Sequence, residues 1–276
     1  MNMLPELVIL TDLDDSLFST LRKLPESLRG NATLAARAAS SSTTGKDSFM
    51  TAGQLAMIQW MDLSRCVPVT ARGTEAYSRV TLPFSGPSAI VANGAVLLDT
   101  DGKVNVDWAK HIRAILNPLQ NQLLHLPEVM KTLAAKRSLN IRSWSVMEPS
   151  CGAVYTVAKC NDSSDGQGLE ELLSDLKAYV ATGDSCAADE LANNCTEGSS
   201  EPWADSWRFH INGNNLSMTP SGISKAKAVT YLLDKLRRDK EIFTIGVGDS
   251  VTDLEFMRLC DVWMTPSSSQ IDQLLS

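Results

Sequence analysis

Four short apolar runs, each ending abruptly in polar residues, constrain this chain more than any other feature. Leu7-Val8-Ile9-Leu10 runs into Thr11-Asp12, and Val67-Pro68-Val69 into Thr70. Ala89-Ile90-Val91-Ala92 runs into Asn93-Gly94, and Phe243-Thr244-Ile245-Gly246-Val247 into Gly248-Asp249. Continuous rather than alternating hydrophobicity marks strands buried on both faces, as in a parallel sheet covered by helices. Such sheets bind ligands beyond the carboxyl ends of their strands, where these polar residues would fall. Pro68, which donates no ladder hydrogen bond, reads as a local irregularity. Apolar positions at helical spacing over 51–63 and 224–238 supply covering helices. The Ser/Thr-rich patch Ser40–Gly45 reads as a turn or hairpin tip.

From about Phe84 to Thr219 the pattern changes. A hairpin signal at Asp101-Gly102 precedes a helix within 106–136, a strand pair across 139–160 and a second helix over LEELLSDLKAYV. A polar stretch at 184–206 then leads to a hairpin over Trp207–Met218, turning at Asn212-Gly213-Asn214-Asn215. This predicts an α/β core made of residues 1–84 and 219–276, to which a strand at 89–94 also belongs. A separate α+β module, 95–218, is inserted into it.

The formal net charge of -7, without any block of basic residues, argues against a broad nucleic-acid-binding face. A small anion can still be held if a few basic residues converge on one cleft. No stretch approaches the ~20 apolar residues of a membrane span, and the start lacks a basic n-region, so no signal peptide is expected. The six cysteines are scattered without a C-x-x-C pair. They read as reduced thiols of a cytoplasmic protein, with Cys186–Cys195 as one candidate disulfide. The sequons at Asn31, Asn161 and Asn194 are then coincidental. His111, His125 and His210 show no ligand spacing and read as structural. Nothing in the sequence sets an oligomeric state.

Two clusters carry chemistry. Asp12-Leu-Asp-Asp-Ser16 follows the first run, and Gly246-Val-Gly-Asp-Ser-Val-Thr-Asp253 ends the last. A calcium loop would want Gly and Glu where Leu17 and Lys23 stand, and a dinucleotide fingerprint would want Gly where Val251 stands. Ser250 and Asp253 also form a helix capping box, a reading as strong as the chemical one. Should the two strand ends lie side by side, Asp12, Asp14, Asp249 and Asp253 converge. Carboxylates so close raise one another's pKa or demand a cation, and an all-oxygen site favours Mg²⁺. Thr70 on its own reads as a helix N-cap. Lys225 follows the N-cap candidate Ser224, so it falls in a first helical turn, where positive charge is unfavourable unless an anion is near. Lys227 competes for that role.

In this order the features resemble the haloacid dehalogenase superfamily of phosphohydrolases: D-x-D-x-[TS], a Thr or Ser after a second strand, a Lys, then G-D-x-x-x-D. Asp12, Asp14 and Ser16 match the first element, Thr70 the second, Lys225 the third, Asp249 and Asp253 the fourth. The interval from Thr70 to Lys225 far exceeds that from Asp12 to Thr70. This placement of the insertion resembles the Cof-like and sucrose-phosphatase-like branch with an α/β cap. Thr70-Ala-Arg-Gly and Ile90-Val-Ala-Asn-Gly-Ala are similar to that branch's T-G-R and N-G-A signatures. Asp15, where many members have Gly, and Ser16 for the commoner Thr depart from the pattern, as does the length of 19–50.

The resemblance implies Mg²⁺-dependent phosphomonoester hydrolysis in which Asp12 is phosphorylated and Asp14 serves as general acid, then base. Asp12, Asp14 (through its backbone carbonyl) and Asp249 would hold the metal. Thr70 and Lys225 would hold the phosphoryl oxygens, and Asp253 would position Lys225 or a water on the metal. By the same analogy Arg72 and Asn93 face the cleft, while Arg208 and Asn215 are candidate substrate contacts from the cap hairpin. The expected substrate is a small phosphorylated metabolite, by default a sugar phosphate. A phosphomutase or phosphotransferase on the same core, or a catalytically silent binding module, are the alternatives.

Overall fold

The computed structural model describes residues 5–36, 47–161, 166–182, 206–267 and 269–275. The Ser40–Gly45 patch, Cys186, Asn194, Cys195 and nearly all of the polar 184–206 stretch lie outside the described residues. Contacts divide the chain into two compact units, Met1–Lys110 with Ile223–Ser276, and His111–Gly222.

The first unit opens with β1 (Glu6–Thr11), β2 (Ser19–Thr20), α1 (Glu26–Arg29), β3 (Thr33–Ala36), β4 (Ser48–Met50) and α2 (Ala52–Met61). It continues through β5 (Cys66–Pro68), α3 (Thr74–Ser78), β6 (Ser88–Val91) and β7 (Val96–Asp99) into α4 (Val106–Leu116), within which the division falls. The second unit holds α5 (Gln120–Lys136), β8 (Ile141–Glu148), β9 (Gly152–Cys160), α6 (Gly166–Thr182), β10 (Trp207–Asn212) and β11 (Asn215–Pro220). The chain then completes the first unit with α7 (Lys225–Asp239), β12 (Ile242–Val247), α8 (Val251–Met257), β13 (Val262–Met264) and α9 (Gln270–Leu275).

The expected parallel sheet is present, in the order β13-β12-β1-β5, with β1 paired in register to β12 from Glu6↔Ile242 to Thr11↔Val247. Val8, Ile9 and Leu10 are almost wholly buried in succession, which is why the run does not alternate. Each such side chain contributes about 1.5–3 kcal/mol of burial. Ile9, Leu13, Phe18, Ile58 and Met61 form one core cluster beside the sheet.

Pro68 fits because of where its missing N–H points. Val69 N donates to Thr11 O on the β1 side, and Thr70 N donates to Ile90 O on the other. Backbone donors alternate sides along a strand, so the Pro68 nitrogen faces the β6 side, where the bridge begins only at Val69↔Ile90. No ladder bond is lost.

Three features were not legible beforehand. Part of 19–50 builds a small antiparallel sheet, β2-β4-β3. The edge strand β13 is short and largely exposed, so it lacks the apolar run that marks its neighbours. The helical stretch 106–136 is two helices separated by a 3₁₀ turn at Asn117–Leu119, because Pro118 offers no donor and disfavours helix before it. The β6–β7 hairpin and Trp108 belong to the first unit, where the Trp108 indole N–H donates to Gly94 O at 3.0 Å.

In the second unit the antiparallel sheet runs β10-β11-β9-β8, with β10 and β11 turning at Gly213-Asn214 as the asparagine-rich tetrapeptide predicts. Among the described residues, no helix is long and apolar enough to cross a membrane.

Candidate active site

Three carboxylates and one ammonium meet at the carboxyl ends of β1 and β12. Asp12 follows β1, its N–H donating to Val247 O at 2.8 Å, so the sheet itself places it next to the end of β12. Asp249 lies two residues past β12, and Asp253 sits in the first turn of α8. Carboxylate oxygens of Asp12, Asp249 and Asp253 lie within 4.8 Å of one another, all three residues buried. Lys225 is the first residue of α7, behind the Ser224 N-cap whose Oγ accepts from Lys227 N. Its Nζ donates to Asp12 Oδ1 at 2.6 Å and to Asp253 Oδ1 at 2.7 Å. The Ser16 hydroxyl lies between Asp12 Oδ2 at 3.5 Å and Asp249 Oδ1 at 3.3 Å.

The capping and chemical readings of Asp253 coexist. Its Oδ2 accepts from the Ser250 N–H at 3.0 Å and the Ser250 hydroxyl at 2.6 Å, while Oδ1 faces Lys225. Capping thereby locks the rotamer that presents the other oxygen to the lysine.

Charge is unbalanced here. Burial pushes the Asp12 carboxyl well above its ordinary value, opposed by Lys225 and reinforced by Asp253, Asp249 and Asp14. Asp249 is pushed up to about 7 by burial, then by the charges of Asp253 and Asp15. Burial would pull the Lys225 ammonium down, but Asp12 and Asp253 raise it, so it stays charged. One lysine faces three carboxylates, and the donors are hard oxygens without thiolate or imidazole. Such a set fits a divalent Mg²⁺.

The raised Asp249 carries a pH signature with a definite sign. Between about 4 and 7 the folded chain holds a proton that the unfolded chain, with a carboxyl near 3.8, has already released. This group therefore makes the metal-free protein less stable as pH rises through that window, and the loss is complete above it. Asp249→Asn is expected to remove that slope, read as the difference in unfolding midpoint between wild type and variant without divalent cations. A pH-independent difference would contradict the shift.

Two glycines let the lysine and Asp253 come this close. A Cβ on Gly94, which has φ +97°, would sit 2.3 Å from Ser224 O and 3.0 Å from Lys225 N. A Cβ on Gly248 would meet Asp253 Cβ at 2.5 Å. Gly94→Ala is expected to destabilise the chain by about 2 kcal/mol or more and to lower activity by displacing the start of α7. Unchanged stability and turnover would argue that the contact is dispensable.

The other predicted residues make contacts of their own. Thr70 is buried, but it does not cap α3, whose N-cap is Gly73. Its Oγ1 accepts from Arg72 N at 3.1 Å. Asn93 takes a left-handed backbone, φ 57°, and its N–H donates to Thr70 O at 3.0 Å. The Asp14 carboxylate is not part of the three-carboxylate cluster. It is engaged by Arg72, Nε to Oδ2 and Nη2 to Oδ1, both at 2.7 Å. Arg208 lies on β10 opposite Thr219, and Asn215 begins β11 opposite Asn212, both in the second unit. Asp15 adopts φ 65°, a conformation glycine takes freely and aspartate tolerates, and it pairs with Lys23. Ser48, Phe18 and Ser250, which also surround these groups, carried no separate sequence signal except Ser250's capping box.

No protein-family model matches the chain, and neither does any curated protein sequence. Solved structures do. The C-terminal domain of C. albicans trehalose-6-phosphate phosphatase aligns with a TM-score of 0.54 at 11% identity, over 92% of this chain and 73% of that one. The sucrose-phosphatase of Synechocystis aligns with a TM-score of 0.48 at 13% identity, over 99% and 96%. A phosphatase of the HAD superfamily from Bacteroides thetaiotaomicron aligns with a TM-score of 0.43 at 11% identity, over 98% and 94%. The chain shares the fold of that trehalose-6-phosphate phosphatase domain, here a parallel-sheet core with an inserted α+β unit. At these identities the likeness concerns the fold.

Proposed function

We propose that this protein is a Mg²⁺-dependent phosphatase that hydrolyses a small phosphomonoester through an aspartyl-phosphate at Asp12. The observation that carries the reading is the Lys225 ammonium bridging Asp12 and Asp253 inside a buried cluster of three carboxylates. A structural role alone would not gather so much uncompensated negative charge at a strand end.

Asp12, Asp249 and Asp253, with Asp14 through its backbone carbonyl, are the groups to hold Mg²⁺, which when bound neutralises the repulsion between carboxylate and phosphate. The Asp12 carboxylate forms a bond to phosphorus as the bond to the leaving oxygen breaks, and Asp14 supplies that oxygen's proton. Water then attacks the phosphoryl group, giving its proton to Asp14 and freeing Asp12. Lys225 and Thr70 face the charge that develops on the phosphoryl oxygens. Sugar phosphates are the favoured substrate class, since a trehalose-6-phosphate phosphatase domain shares the fold. Arg208 and Asn215 are proposed substrate contacts.

The test is phosphate release from para-nitrophenyl phosphate and from a panel of sugar phosphates, with Mg²⁺ and with chelator. Release that requires the metal is expected. No turnover of any substrate in either condition would favour a silent module, and transfer to a sugar acceptor rather than water would favour a mutase.

A further inference from the structure

Arg72 stands where the sequence suggests a substrate contact, yet its guanidinium is already occupied. It grips both oxygens of Asp14 at 2.7 Å, lies 5.1 Å from the centre of the Phe18 ring, and reaches Ser48 Oγ at 3.4 Å and Ala76 O at 3.5 Å. Its side chain is 17% exposed, that of Asp14 46%. The more buried partner is therefore the arginine, wedged between β4, the turn after β1 and α3, and the carboxylate is the arm it holds.

A fork-to-fork pair fixes direction as well as distance, because two parallel N–H donors define the carboxylate plane. The Asp14 backbone lies in the turn that follows Asp12, but its carboxylate lies outside the Asp12, Asp249 and Asp253 cluster. We propose that Arg72 is a positioning residue for Asp14, setting where the acid–base carboxylate stands relative to the leaving oxygen, rather than a ligand of the substrate phosphate. The small β2-β4-β3 sheet takes part, since Ser48 on β4 lies 3.4 Å from the guanidinium. This rests on the proposed phosphatase chemistry at Asp12.

The experiment compares kcat/KM, which reports the steps through departure of the leaving group, for para-nitrophenyl phosphate and for a simple alkyl phosphate. The aryl leaving group departs without a proton, and the alkyl one needs the acid. In Arg72→Ala the alkyl value is expected to fall at least about tenfold further than the aryl value. Arg72→Lys, which keeps the charge but loses the fork, should recover only part of that gap. An equal fall for both substrates would overturn the inference, as would a parallel rise in KM with weaker inhibition by inorganic phosphate. If the wild type hydrolyses neither substrate, the phosphatase reading fails by itself. The pair is then judged by a double-mutant cycle of Asp14→Asn and Arg72→Met in urea unfolding, where strict additivity would overturn it.

Discussion

Asp12→Asn is expected to lower Mg²⁺-dependent phosphate release by about four orders of magnitude or more, while the folded chain survives. The amide keeps the size of the side chain and can still meet Lys225, so the cluster should persist with one negative charge fewer. Burial already strains the ionised form of Asp12, and neutralising it is expected to leave the metal-free chain as stable as wild type or more so. Far-ultraviolet circular dichroism and a urea midpoint, measured beside the activity, separate lost chemistry from lost fold. A variant that is folded and fully active would remove Asp12 from the mechanism.

Lys225→Met is expected to have the largest effect on stability. It leaves the Asp12 and Asp253 carboxylates buried without the cation that each now holds at 2.6 and 2.7 Å. Breaking such a pair from one side costs about 3–5 kcal/mol where the partners stay ionised. The lysine is charged throughout the accessible range, because its partners raise its pKa above the ordinary value. The deficit relative to wild type should therefore shrink as pH falls and the orphaned carboxylates take up protons, and should also shrink when Mg²⁺ is added. Urea unfolding across pH 5 to 8, with and without the metal, reads both trends. A deficit that ignores pH and metal alike would mean that Lys225 acts through packing. Activity should fall about 10²-fold to 10³-fold, since a fixed charge facing the phosphoryl oxygens is lost.

How much of this was legible depended on whether a residue's partner lay nearby in the chain or across the fold. The strand ends were legible because β1 and β12 each carry a mostly apolar run that is buried towards its carboxyl end, so Asp12 and Asp249 stand out against them. The unfavourable place of Lys225 at a helix start was legible from Ser224 alone, and the Asp253 capping box from Ser250. The turn holding Asn93-Gly94 could be read as a signature but not understood, since the need for glycine arises from the Ser224 carbonyl more than a hundred residues away. For the same reason the sequence could place Arg72 at the cleft but not show its partners. Its partners Asp14 and Phe18 lie in the turn after β1 and Ser48 on β4, in a small sheet whose strands are too short to show a period.

Covalent chemistry at Asp12 can be seen directly. The protein is mixed with Mg²⁺ and excess substrate, quenched in acid within the first turnover, reduced with borohydride and digested for mass spectrometry. Homoserine is expected in place of Asp12, present only when substrate and metal were both supplied and absent from Asp12→Asn. Phosphate released at full rate with no modified Asp12, or with the modification on another carboxylate, would contradict it.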